Sequence, residues 1–280
     1  MKTAHIYRKY IIKIVLYVVL AVFALMALVP FYFSVITSLK SNDEYVESKL
    51  ALPQTVVTDH YHFVLFQGRL LKYLKNNVIL IGSGLVLYLI VCSAAGFAFG
   101  KLRFPLRLPL FLGVLFLMIF PQMVISVQVY RIAAGLKLLN TYIGVILVWV
   151  AYFAPFGTYI MTTYYASVPK DIVESARIDG ASVIQQLTRI MLPIAAPMIA
   201  TIMVIGTLSM WNELPFALLI LQKPDMRTIT QGIAMLKGEH GLPIPRMTAA
   251  VIVSSTIPLA LFLFFQKYVA MGATAGSVKG

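Results

Sequence analysis

Charge is what this sequence has least of. Only 12% of its 280 residues are Asp, Glu, Lys or Arg, about half the share of a soluble domain. Cysteine is nearly absent: Cys92 stands alone, which excludes an intrachain disulfide, and its place inside an apolar run reads as packing. No Gly-x-x-x-x-Gly-Lys-Ser/Thr phosphate loop occurs, since Gly100-Lys101 has Ala95 where the first glycine is required; ATP binding by that device is excluded. A Ser/His/Asp set, a Cys or His ligand cluster and a pair of intramembrane acids poised for general acid-base work are missing too, which excludes a free-standing enzyme. His60 and His62 have a spacing that could hold a metal on a strand, but no third ligand is evident, so they read as a surface pair and no metal is expected. The formal charge of +13 is scattered over every loop with no basic stripe of interleaved aromatics, which excludes a nucleic-acid surface.

What is abundant is apolar. Hydrophobic residues make up 60% of the chain and the mean hydropathy is +0.87, which describes an integral membrane protein. Runs of about twenty apolar residues span a bilayer as helices. Six are marked, at 14–37, 78–99, 108–127, 141–163, 193–221 and 247–265, which predicts an all-α protein with both termini on one side. The first run follows Lys2, Arg8, Lys9 and Lys13, like a signal peptide, but its core is too long and lacks a small-residue cleavage site, so it is expected to stay as a helix. Those cations, with Lys101, Arg103 and Arg107 crowded into the short second loop, place the termini in the cytoplasm by the positive-inside rule. The polar stretch 40–75 then lies outside as a loop with short helices, and 129–139 as a short outer helix. Gly144 and Gly157 are expected to let neighbouring helices approach closely.

Between the fourth and fifth runs lies a polar island, Val168-Pro169-Lys170-Asp171-Ile172-Val173-Glu174-Ser175-Ala176-Arg177-Ile178-Asp179-Gly180-Ala181-Ser182, continuing to Leu192-Pro193. Pro169 suits a first helical position and Asp171 puts an acid in the first turn, while Gly180 can take the left-handed conformation that stops a helix. Ser182 and Gln185 have capping-box spacing, and Val183, Ile184, Leu187, Ile190 and Met191 recur at helical intervals. The island is therefore helix, sharp turn, helix. Each helix has one apolar and one charged face, so a partner or a lipid surface must cover it.

The island resembles the cytoplasmic loop of ABC importer permeases, whose signature runs Glu-Ala-Ala, two residues, Asp-Gly-Ala-Ser, two aromatics, Ile and Leu-Pro. Here it reads Glu174-Ser175-Ala176, Asp179-Gly180-Ala181-Ser182, Ile184, Leu187, Ile190 and Leu192-Pro193. Ser175, Ile184 and Leu187 depart from the pattern. Tyr73 to Asn77, Phe97 to Pro105, Pro121-Gln122-Met123, Gly135 to Thr141 and Pro155-Phe156 resemble the carbohydrate-uptake branch of the same family. The ending Thr274-Ala275-Gly276-Ser277-Val278-Lys279-Gly280 is similar to that of the second, smaller permease of maltose-type importers, whose tail reaches between the ATPase subunits.

The resemblance implies a type I ABC importer permease fold: six transmembrane helices with a cytoplasmic helix-turn-helix coupling loop. It divides the chain into a first helix with an outer loop at 1–72, a permease core at 73–268 whose coupling loop spans 166–193, and a tail at 269–280. ATPase coupling is assigned to Glu174, Ser175, Ala176, Asp179, Gly180, Ala181 and Ser182, and ATPase contact to Thr274, Ala275, Gly276, Lys279 and Gly280. Expected partners are a second permease in a heterodimer, two ATPase subunits that carry ATP and magnesium, an extracytoplasmic solute-binding protein and the bilayer of the cytoplasmic membrane. This chain itself is expected to bind no cofactor.

Glu213 is the one ionisable residue inside the six runs. Two readings stand: a functional intramembrane acid, or an anchor roughly 30 Å from Pro193 whose carboxylate reaches interfacial water. Within the family, the pattern Trp211-Asn212-Glu213-Leu214-Pro215 implies a bent helix beside the translocation path. Gln122, Asn212, Glu213 and Ser254 are therefore the path candidates for a sugar or, alternatively, a glycerol phosphate; Ser254 could instead satisfy carbonyls freed by Pro258. An ion-driven carrier is the other class, but no repeating halves support it.

Overall fold

The computed structural model describes residues 2–240 and 242–275, and the side chains of 10–236 and 242–266. Every regular element among them is helical. In chain order these are α1 (Lys2–Ser38), α2 (Asn42–Glu47) and α3 (Asp59–His62), with a π turn over Phe63–Gln67; α4 (Leu70–Lys101); α5 (Arg107–Phe116); α6 (Gln122–Gly135); and α7 (Tyr142–Ser167). Then come α8 (Lys170–Ile178), α9 (Val183–Gln185), a π turn over Gln186–Met191, α10 (Leu192–Ile194), α11 (Ala196–Asn212), α12 (Pro215–Ile220), α13 (Ile229–His240) and α14 (Ile244–Ala275). Among the described residues four helices are long and apolar enough to cross a membrane, at Tyr10–Ser38, Leu70–Lys101, Tyr142–Ser167 and Ile244–Gln266, and up to six spans result if each of two bent pairs is one span.

Those bent pairs correct two of the expected runs. The run at 108–127 stops after Ile119 and turns by 105° into α6, because Pro121 has no N–H to continue the ladder and forces Phe120 to be extended (φ −77°, ψ 117°). The outer helix expected at 129–139 is thus the C-terminal half of α6. The run at 193–221 is interrupted twice, by an 82° bend at Ala195 between α10 and α11 and by extended backbone at Glu213 (φ −70°, ψ 124°) ahead of Pro215. Only α11, 17 residues or about 25 Å, is continuous.

The chain folds as two compact units, Met1–Gly68 with Leu236–Val253, and Arg69–Met235 with Ser254–Gly280. In the first, α1 is exposed on every side from Tyr10 to Tyr32; a helix apolar all round needs lipid or partner helices as its solvent. The outer loop is organised on Lys40, fully buried, whose ammonium donates to the Ser48 carbonyl at 2.6 Å and whose own carbonyl meets His60 Nε2 at 2.8 Å. His60 is therefore buried rather than a surface residue, and His62 instead lies on Phe66, ring centroids 4.9 Å apart.

In the second unit α4 and α7 form the central seam, with α11 packed against both. Between apolar helices in lipid, van der Waals fit takes over from the hydrophobic effect, and small residues set how close the helices come. A Cβ on Gly157 would sit 2.5 Å from Cys92 Sγ and 2.8 Å from Tyr88 Cζ, so glycine is what lets α7 reach α4. Gly144 does a different job: its missing Cβ makes room for the Leu138 carbonyl of the preceding turn, not for another helix. Cys92 is buried and directs its thiol to the Ala154 carbonyl.

Candidate functional site

Local sequence builds the hairpin between α7 and α11. Pro169 is the N-cap of α8, one position earlier than expected, and Asp171 lies in its first turn. Val173 and Ala176, one helical step apart, are its buried stripe; Glu174 and Ser175 face out. The helix ends in a Schellman motif, with Gly180 N–H donating to Arg177 O at 3.1 Å and Ala181 N–H to Ala176 O at 2.9 Å. Gly180 supplies the required positive φ of 82°, a conformation side chains strain. Asp179 is the C-cap. The chain restarts through the expected capping box, Gln185 N–H to Ser182 Oγ at 3.3 Å and Ser182 N–H to Gln185 Oε1 at 2.8 Å. Gln186 locks the two helices together by donating to the Ala181 carbonyl at 2.8 Å. Left uncovered at the tip are Ile178, 86% exposed, and Ile184, 73% exposed.

A second polar centre lies where α11 breaks. Glu213 is only 4% exposed, so its carboxylate does not reach water as the anchor reading supposed. It accepts four N–H groups: Gln122 Nε2 of α6 at 2.5 Å and Phe216 N at 2.7 Å on Oε1, Trp149 Nε1 of α7 at 2.7 Å and Ala217 N at 3.1 Å on Oε2. The two backbone donors are the free N-terminal groups of α12, so Glu213 caps that short helix from within. Gln231, 1% exposed, closes its other end by donating to the Ala217 and Leu221 carbonyls at 3.0 and 3.1 Å, and Thr230 Oγ1 reaches the Trp211 carbonyl at 2.8 Å. Asn140, at φ 55°, ties the α6–α7 corner to the same element through Ile220 O and the Gln222 and Lys223 amides.

The path candidates thus separate. Gln122 and Glu213 are bonded to each other; Asn212 is exposed and donates to the Leu208 carbonyl of its own helix at 2.8 Å; Ser254 is half-buried on α14. Trp149, Thr230 and Gln231 were not singled out from sequence, although a mid-span Trp, whose indole N–H needs an acceptor when buried, was a usable signal. Of the tail, Thr274 and Ala275 close α14 but their side chains lie outside the described residues, as do Gly276, Lys279 and Gly280 altogether.

Near the start of α4, Asp225 receives Lys72 Nζ at 2.5 Å and Arg69 at 3.2 Å. The Lys72 hydrogen bond and charge hold its carboxyl below the usual aspartate range.

Residues 73–272 match the model of a family described as binding-protein-dependent transport system inner membrane component. The chain belongs to that family. A trehalose/maltose transport system permease protein, MalG, of Thermococcus litoralis is 33% identical over 98% of this chain and 99% of that one. A putative ABC transporter permease protein of a Caldicellulosiruptor species is 32% identical over 94% and 96%. Among solved structures, a bacterial ABC transporter involved in the import of the acidic polysaccharide alginate superposes with a TM-score of 0.75 at 26% identity, covering 92% of this chain and 96% of that one. The fold is thus that of a type I ABC importer permease, and the chain is a membrane component of a transporter rather than an enzyme.

Proposed function

We propose that the chain is one of two permease subunits of an ATP-driven importer of sugars or oligosaccharides, and that the coupling loop, 166–193, passes the stroke of a separate ATPase to the break at Glu213. One observation carries the coupling reading: a hairpin closed by its own caps presents Glu174, Ile178 and Ile184 to solvent with nothing among the described residues covering them. The solute class is supported by relatives named for trehalose/maltose, for melibiose/raffinose/stachyose and for arabinooligosaccharides.

The geometry supplies a lever. The hairpin leads through α10 and the Ala195 bend into α11, with the bend held to α7 by Tyr164 Oη on the Ile194 carbonyl at 2.9 Å. A displacement at α8 is carried along α11 as a rigid rod, and its far end is Glu213, bonded to α6, α7 and α12 together. Motion at that end would move three elements at once, which supports reading Gln122, Glu213, Asn212 and Ser254 as residues beside a path that alternates between its two openings.

On this reading the core is 73–268, the spans number six with both bent pairs crossing, the hairpin and both termini are cytoplasmic, and the tail 269–280 docks at the ATPase pair. A sister permease, two ATPase subunits holding ATP and magnesium, and an extracytoplasmic binding protein complete the machine. The test is co-expression of the four components with Gly180→Val or with 274–280 deleted. Solute-stimulated ATP hydrolysis should fall to the unstimulated level with membrane insertion unchanged. Full stimulation in both variants, or uptake driven by a proton gradient without the ATPase, overturns the proposal.

A further inference from the structure

We propose that the cleft between the 102–106 turn and α8 binds the headgroup of an anionic phospholipid. Its volume is about 530 Å³, within the usual range of small-ligand sites. Five cations line it, Lys101, Arg103, Arg107, Lys170 and Arg177, against a single carboxylate, Glu174. The salt bridges found among the described residues both go to Asp225 instead, so the five have no carboxylate within bonding distance.

The walls are preformed. Lys101 Nζ donates to the Val168 carbonyl, pinning the end of α4 to the entry of α8, and Arg107 reaches back to the Leu102 carbonyl at 3.4 Å. Phe99 packs against both Phe104 and Phe111, at 6.0 and 5.4 Å between ring centroids, which fixes the turn.

Depth and surroundings choose a lipid over a soluble anion or an acidic protein segment. Lys101 is the last residue of one apolar helix and Arg107 the first of the next, so the cations sit at the level of phosphate groups, where basic pockets between transmembrane helices hold anionic headgroups. Leading away from the cleft, Leu108 and Leu112 are both more than half exposed and, four residues apart on α5, share one face, an apolar strip for an acyl chain. Because Lys170 and Arg177 belong to α8 and the other three cations do not, one bound phosphate bridges the hairpin to the α4–α5 turn. Lipid would then steady the coupling hairpin, a consequence that rests on the function proposed above; the binding itself does not.

Native mass spectrometry of the assembled transporter, delipidated and titrated with phosphatidylglycerol or phosphatidylcholine, tests this. Phosphatidylglycerol should be retained in preference. Arg103→Gln with Arg107→Gln should raise its half-saturation about 25-fold, from about fivefold per cation near a membrane surface, while the paired Arg→Lys variant, which keeps the charge, should retain it. Equal retention of the two lipids, or displacement by inorganic phosphate at the lipid's own concentration, overturns the proposal. So does loss of the ATPase subunits from the Gln variant with lipid retention unchanged, which would assign the cleft to an acidic segment of a partner. Retention that follows the prediction while hydrolysis ignores the hairpin would leave the lipid site standing and remove only the coupling function.

Discussion

Glu213→Gln is an isosteric change whose cost follows from the four donors around the carboxylate. An amide offers one oxygen; its NH2 must face either Gln122 and Phe216 or Trp149 and Ala217, all of them N–H donors. Facing Gln122 is the cheaper orientation, because the Gln122 amide can turn its own oxygen to the new NH2, and the buried Phe216 N–H is then the donor left without an acceptor. At about 1–3 kcal/mol for a buried group left unpaired, that is the size of the loss. Interhelical hydrogen bonds in membranes couple by only about 0.6 kcal/mol on average, because neighbours find new partners. The Phe216 amide, fixed at the start of α12, has little freedom to do so, and about 1–3 kcal/mol is the expectation. For a chain of this size that lowers the melting temperature of the assembled transporter by roughly 2–12 °C. The Trp149→Phe variant removes one of the same donors, so the two changes should be non-additive by about 1 kcal/mol in a double-mutant cycle. Strict additivity, or a Gln variant within 1 °C of the parent, would refute the claim that this carboxylate holds three elements together.

Gly180→Val should cost at least about 1–2 kcal/mol locally, since a β-branched residue resists φ 82°, and should abolish solute-stimulated hydrolysis without loss of the protein from the membrane. Gly157→Val should block assembly outright, read as absence of a monodisperse peak, because its side chain would enter space held by Tyr88 and Cys92. For Asp225 the depressed carboxyl sets the sign. Its contribution is fully present above the unfolded value near 3.9 and is lost as pH falls through the lower folded value. Asp225→Asn should therefore shift thermal stability by a constant amount between pH 6 and 8 and converge with the parent in strong acid; a difference that grows with rising pH would contradict this. Ser182→Ala should lower stability by about 1 kcal/mol through the lost cap, measured by proteolysis at the hairpin.

How much could be read in advance follows from the range of the interactions. The helix, turn and helix between α7 and α11 were legible because their determinants are at most five residues apart: the Schellman bonds at Gly180, the capping box from Ser182 to Gln185, and the stripe of Val173 and Ala176. The membrane class was legible because composition alone fixes which solvent a chain requires. The α1, α4, α7 and α14 spans came through as continuous runs for the same reason, each satisfying its backbone internally.

Tertiary structure decided the rest. Pro121, Pro193, Pro197 and Pro215 were visible, but a proline kinks a helix or ends it according to whether the freed groups find partners elsewhere. Around Glu213 they do, from residues 64 and 91 positions away and from Thr230 and Gln231 downstream, so the run at 193–221 ends and restarts instead of bending through. No window of sequence contains those partners. Sequence left Glu213 two readings, a functional intramembrane acid or an interfacial anchor; packing buries it among four donors, which removes the second.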